Sequence, residues 1–258
     1  MPRKNFHIVL VASVVIAVFP FVWLPLMSFF SDWNYPNILP GVLDVQQWKL
    51  FFSGQQDVRH SFLLSLAIAT TTATLSTAVG FGLARTVSFG SRRKQGIFWS
   101  LLPVTISPVL FATILAFYFN VAGISGTVGG VMIAQLLIAI PFSIIYFTAF
   151  WTPRVMHMEQ LAATLGSTPY QTFTQVVLPY ARPFLLVCFF QTFIISWFEY
   201  GLTSVIGAGQ VQTLTLKVYL YVQEASPSLA ALAATLLILP PALLLWFNRQ
   251  YVFKPLGV

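Results

Sequence analysis

Six stretches of this chain, residues 8–30, 61–84, 97–119, 129–151, 183–206 and 229–247, run almost without charge for the length of a bilayer crossing. About 20 apolar residues, wound as a helix at about 1.5 Å each, cover the roughly 30 Å of hydrocarbon in a membrane. The runs do not alternate apolar with polar residues as barrel strands do, so helices satisfy their backbone groups. Only 7% of the residues are charged, where a soluble domain carries about 25%. The expectation is an all-α membrane protein, with 1–258 forming one transmembrane domain built on a bundle of six helices.

Arg3 and Lys4 before the first run give it the look of a secretory leader. Its apolar part is too long for a leader core of roughly 7–15 residues, and no small-residue cleavage site follows, so it is expected to stay as the first span. The formal charge of +7 does not point to nucleic acid, because apart from Arg92-Arg93-Lys94 the basic residues stand singly near span ends. Sorted by alternate loops, Arg3, Lys4, Arg85, Arg92, Arg93, Lys94, Arg154, Arg182, Arg249 and Lys254 fall on one side, and Lys49, Arg59 and Lys217 on the other. Cationic loops resist translocation, so both termini and the loop over 152–182 are expected in the cytoplasm.

No catalytic site is indicated. None of the five lysines follows a glycine, so there is no phosphate-binding Walker A loop, and neither His-Glu-x-x-His nor Gly-x-Ser-x-Gly occurs. The single cysteine, Cys188, lies in an apolar run, suits packing and excludes a thiolate metal centre. Small residues four apart, Ala69/Ala73, Ala78/Gly82, Ala112/Ala116 and Ala230/Ala234, would let helices approach closely. Pro103, Pro108 and Pro141 are expected to kink their spans, Arg85 to snorkel, and Trp23, Trp48, Trp99, Trp151, Trp197 and Trp246 to act as interface anchors or loop residues.

The loop over 152–182 reads helix, break, helix. Residues 157–165 are good helix formers, Gly166 suits the left-handed residue that closes a helix, and Thr168 can cap a second helix opening at Pro169. Pro179 and Pro183 are expected to end that second helix. Leu161 and Leu165 share one face, suited to a partner's groove.

This segment, EQLAATLGSTPYQTFTQVVLPYARP, resembles the EAA loop of binding-protein-dependent ABC importer permeases. The family pattern is Glu-Ala-Ala, three residues, Gly, nine residues, Ile, one residue, Leu-Pro. Anchored on Gly166, it places Val176, Leu178 and Pro179 correctly, with Gln160 at the Glu position and Leu161 and Ala162 at the two Ala positions. Glu159 stands one residue early, about 100° around a helix. The resemblance implies the six-helix bundle of a type I importer permease in a bacterial inner membrane, with Glu159, Gln160, Leu161, Ala162, Gly166, Val176, Leu178 and Pro179 as ATPase-coupling residues. Its implied partners are a dimer of ABC ATPase subunits, a second permease and an extracytoplasmic solute-binding protein. No cofactor is expected in this chain; ATP and Mg would be bound by the ATPase. A connector helix lying on the membrane surface is the alternative reading of the loop.

The stretch SWFEYGLTSVIGAGQVQTLTLKVYLYVQEASPSLAAL, from Ser196, looks like the corresponding region of polyamine, iron, sulfate and thiamine permeases. Glu199 keeps one acid of the usual pair, Phe198 replaces the other, and Thr215 stands where proline is usual. The stretch FSDWNYPNILPGVLDVQQWKLFF is also similar.

Glu199 is the one acidic residue well inside an expected span, where a carboxylate costs about 2.5–3.5 kcal/mol. With Gln191, Thr192 and Ser196 it gives the fifth span a polar face, joined by Gln135 in the fourth. That face reads either as the wall of a translocation path attracting a cationic solute, or as interhelical hydrogen bonding. A proton-coupled secondary carrier using Glu199 is the rival function, and a non-transporting scaffold a third.

Overall fold

The apolar runs fold into helices, each closing its own backbone hydrogen bonds as lipid requires. The computed structural model describes residues 3–31, 42–54, 57–91 and 93–252; Arg92 and Lys254, counted above among the basic residues, lie outside them. In chain order come α1 (Arg3–Met27), the short antiparallel strands β1 (Phe30–Ser31) and β2 (Val42–Leu43), α2 (Gln46–Ser53), α3 (Asp57–Phe89), α4 (Arg93–Thr105), α5 (Pro108–Val121) and α6 (Val128–Thr148). There follow α7 (Pro153–Thr164), α8 (Pro169–Thr172), a π turn (Phe173–Val177), α9 (Leu178–Trp197), α10 (Gly201–Ile206), α11 (Leu214–Gln223) and α12 (Pro227–Val252).

Among the described residues four helical runs are long and apolar enough to cross a membrane: Asp57–Phe89, Val128–Thr148, Pro169–Trp197 and Pro227–Phe247. Two shorter apolar helices, Ser13–Met27 and Val109–Val121, lie in the expected first and third spans.

Three departures from the sequence expectation have local causes. The stretch 97–119 is two helices, because Ser107, preceding Pro108, adopts φ −56° and ψ 132°, the extended geometry forced on a residue before proline. Pro179 and Pro183 do not end the helix begun at Pro169. A π turn intervenes, in which Leu178 N–H reaches back five residues to Phe173 O. Pro179 then falls in the first turn of α9, where a missing N–H is tolerated. The fifth run stops at Trp197 and resumes only as α10, so Glu199 lies in a break between helices and not inside a span.

Two compact units are formed, Met1–Leu64 with Gln212–Ala242, and Ser65–Val211 with Leu243–Val258. In the first, Trp48 stacks on Phe29 and Phe52, and its indole N–H donates to Ser28 Oγ at 3.1 Å. Lys217, buried on α11, pairs with Asp57 at 3.6 Å. In the second, Phe81, Ala84, Phe147, Phe150, Trp151, Val155, Val177, Ala181 and Cys188 form a buried cluster. Trp151 and Trp197 belong to the interior and not to an interface belt, at 3% and 1% exposure; the Trp151 indole N–H donates to Phe81 O at 3.0 Å.

Close packing of α3 on α6 centres on Gly80, where an added Cβ would lie 2.3 Å from Ser143 Cβ. The small pair Ala78/Gly82 expected to make such a contact is exposed, and nothing lies within 4 Å of the Gly82 Cβ position. Ala69, Ala73 and Ala84 continue the Gly80 face and are fully buried.

Candidate functional site

The segment after α6 is a hairpin of helices closed by two capping motifs. Gly166 takes φ +86°, and Gly166 N–H donates to Ala163 O at 3.0 Å while Ser167 N–H donates to Ala162 O at 3.1 Å. That paired pattern is a Schellman motif, which needs a left-handed residue and so favours glycine. Two residues later Thr168 Oγ1 accepts from Gln171 N–H at 3.3 Å and Gln171 Oε1 accepts from Thr168 N–H at 2.9 Å. This reciprocal capping box starts α8, with Pro169 in its first turn.

One side of the hairpin is anchored and the other is open. Val155 and Val177, both 2% exposed, enter the buried cluster. Ala162 and Val176 are half-buried, whereas Gln160, Gly166, Leu178 and Pro179 are exposed. Leu161 and Leu165 are 64% and 88% exposed, and Tyr170 of α8 is exposed as well. Glu159 turns the other way: its Oε2 accepts from Arg85 Nη2 at 2.9 Å, and the same guanidinium lies 5.6 Å from the Trp151 ring centre. Arg85 therefore pairs within the chain instead of only snorkelling. With its side chain 56% exposed, the pair adds less than about 1 kcal/mol to stability. The inward pairing of Glu159, and the burial of Val177 beside the motif's Val176, could not be read from spacing alone. Their only sequence trace is the 100° offset of Glu159 from Gln160.

A second constellation surrounds a cavity of about 410 Å³ lined by residues of α3, α5, α6, α9 and α10, among them Thr72, Gln135, Ser196, Glu199 and Tyr200. Ser196 Oγ donates to Gln135 Oε1, Gln135 Nε2 donates to Thr203 Oγ1 at 3.2 Å, and Thr203 Oγ1 donates to Glu199 Oε2 at 2.7 Å. Glu199 also accepts Leu202 N–H on Oε1 and Thr203 N–H, at 2.9 Å, on Oε2, holding the first turn of α10. Glu199 is half-buried, and N–H and O–H donors converging in this way suit a carboxylate acceptor.

The four polar residues expected on one face of the fifth span are thus divided. Ser196 and Glu199 line the cavity; Gln191 and Thr192 are absent from its lining. Thr192 is buried and donates to Cys188 O of its own helix at 2.9 Å, and Gln191 Oε1 is buried with no partner among the described residues. Thr203, which joins Gln135 to Glu199, is an ordinary-looking threonine in sequence. Thr72 Oγ1, also on the cavity, is buried without a partner.

Residues 76–252, which hold both the hairpin and the polar chain, match the family described as binding-protein-dependent transport system inner membrane component. The chain belongs to that family. Among named relatives, the molybdenum transport system permease protein ModB of Mycobacterium bovis is 26% identical over 89% of this chain and 88% of its own. The spermidine/putrescine transport system permease protein PotC of Haemophilus influenzae is 27% identical over 69% of this chain and 71% of its own. The ferric transport system permease protein FbpB 1 of the same species is 24% identical over 98% of this chain, which spans only 43% of that protein's length.

This chain is accordingly an inner-membrane permease subunit of a binding-protein-dependent ABC importer, and a separate ATPase subunit hydrolyses the ATP. A solute-binding protein completes the system. The proton-coupled carrier reading is not favoured.

Proposed function

We propose that the permease crosses the membrane six times with both termini in the cytoplasm, and that α7 is its coupling helix. The third crossing would be made by α4 and α5 together. Two such permeases, this one and a copy or close relative, would enclose the path, each resting on one subunit of an ATPase dimer that binds ATP and Mg. The observation that carries the reading is the hairpin at 152–182: two caps hold Leu161 and Leu165 outward on the side that the positive residues assign to the cytoplasm. Exposed leucines on a capped amphipathic helix suit a groove in a partner. Gln160, Ala162, Gly166, Val176, Leu178 and Pro179 shape that surface, and Glu159 ties it back to α3.

The cavity beside Glu199 belongs, in this reading, to the translocation path. Its support is a buried unpartnered hydroxyl at Thr72 together with a carboxylate held at a break between helices. Gln191 and Thr192 would act from behind that wall. The relatives are named for ferric iron, molybdenum and spermidine/putrescine, solutes so unlike in chemistry that the binding protein, not this chain, is the place to read specificity.

Replacing Glu199 by glutamine puts an amide N–H₂ opposite donors on one side of the carboxylate position. One donor then loses its acceptor, at a cost of about 1–3 kcal/mol. The expected result is slower uptake by a complex that still assembles, measured as transport rate per purified complex. Copurification with mass spectrometry of the partners tests the wider reading: an ATPase and a binding protein are expected, and recovery of neither would contradict it.

A further inference from the structure

We propose that the Arg85–Glu159 pair is the joint through which movement of α7 reaches α3, making both positioning residues for transport. The inference rests on α7 being the element that docks on the ATPase. Three contacts tie α7 and the turn that precedes it, which holds Trp151, to α3 at one place. Glu159 Oε2 meets Arg85 Nη2 at 2.9 Å, the Arg85 guanidinium covers Trp151 at 5.6 Å, and the Trp151 indole N–H donates to Phe81 O at 3.0 Å. Glu159 is the sheltered partner, its side chain 17% exposed, so it faces the body of the permease and not an outside subunit.

From Arg85 the helix runs about 20 Å to Thr72 at about 1.5 Å per residue, and Thr72 lines the cavity. Along the way Gly80 abuts Ser143 of α6, so α3 cannot shift there without α6, which carries Gln135. Packed rigid helices joined in this way move as a block. Val155, one turn before Glu159, packs α7 into the buried cluster, and the pair adds a directed contact on the same face of the helix. A charge pair with one geometry resists sliding and gives the motion a direction. The family pattern has its glutamate at the position of Gln160, which is exposed here; in this chain the carboxylate sits one residue earlier and serves an internal contact.

The test uses the complete complex in lipid vesicles, with the binding protein carrying the solute it retains on purification. Four chains are compared: wild type, Arg85→Glu, Glu159→Arg and the double exchange. Capture of the ATPase through a disulfide or crosslinker at Leu165→Cys reports docking, and binding-protein-stimulated ATP hydrolysis reports transmission. Each single reversal is expected to lower stimulated hydrolysis about twofold to thirtyfold, the range for residues along a coupling route, with capture unchanged. The double exchange is expected to restore hydrolysis, which a general weakening of the fold would not allow. Wild-type hydrolysis in both single variants, or a double exchange as impaired as either single, overturns the joint alone. Failure of wild-type Leu165→Cys to capture an ATPase overturns the docking reading and the joint with it.

Discussion

Replacing Gly80 by leucine is expected to leave no assembled permease in the membrane. An added Cβ at that position would lie 2.3 Å from Ser143 Cβ, 3.2 Å from Ser143 C and 3.3 Å from Ile144 N. Two of those three neighbours are backbone atoms of α6, which cannot rotate aside. α3 and α6 would have to separate, and with them the packing of Phe81 on Phe147, whose ring centres are 5.1 Å apart. Overpacking a core costs about 1–3 kcal/mol when side chains can adjust, and more when they cannot. Against a total stability of about 5–15 kcal/mol, a cost beyond that first range takes a large share of the margin that keeps the chain folded. Gly82→Leu is the control, since nothing lies within 4 Å of its Cβ position. Yield and monodispersity after extraction should collapse for the first variant and hold for the second; equal yields would contradict the Gly80 contact.

The second large effect is expected at Gly166. Its φ of +86° is left-handed, but an added Cβ would meet nothing within 4 Å. Any effect of Gly166→Val is therefore one of backbone conformation, not of crowding. A non-glycine residue in that region costs about 1–2 kcal/mol, and a β-branched one more. The loop relieves that strain by abandoning the Schellman bonds, which swings Leu165 away from its outward position. ATP hydrolysis stimulated by the binding protein is expected to be abolished while the chain remains inserted. Gly166→Asn should be milder than Gly166→Ala, because asparagine tolerates the left-handed region better although it is larger. Normal coupling in Gly166→Val, or an order that follows size, would count against the assignment.

Much of this architecture was legible because hydrophobic length and capping chemistry are local. The long apolar runs give helices, Gly166 terminates α7, and Thr168 with Pro169 opens α8, all as their residue types require. The misreadings came where a neighbour decides. Ala78 and Gly82 have the right spacing for a close contact, but Gly80 is on the face that meets α6. Pro179 signals a stop, yet widening one turn to π geometry carries the helix past it. Glu199 looks like a costly intramembrane carboxylate until the chain breaks at Phe198 and turns Leu202 and Thr203 N–H groups toward it. The site was legible to the same depth. Its exposed leucines and glycine follow from pattern, whereas the pairing of Glu159 with Arg85 joins residues 74 apart in sequence and depends on tertiary packing.

The central claim is that this chain moves a solute only when a separate ATPase drives it. The direct measurement is uptake into vesicles holding the permease with its copurified ATPase and binding protein, using the solute recovered from that binding protein. Uptake is expected to require ATP on the ATPase side and to continue after the proton gradient is collapsed. Uptake that persists without ATP and stops with the gradient would contradict it.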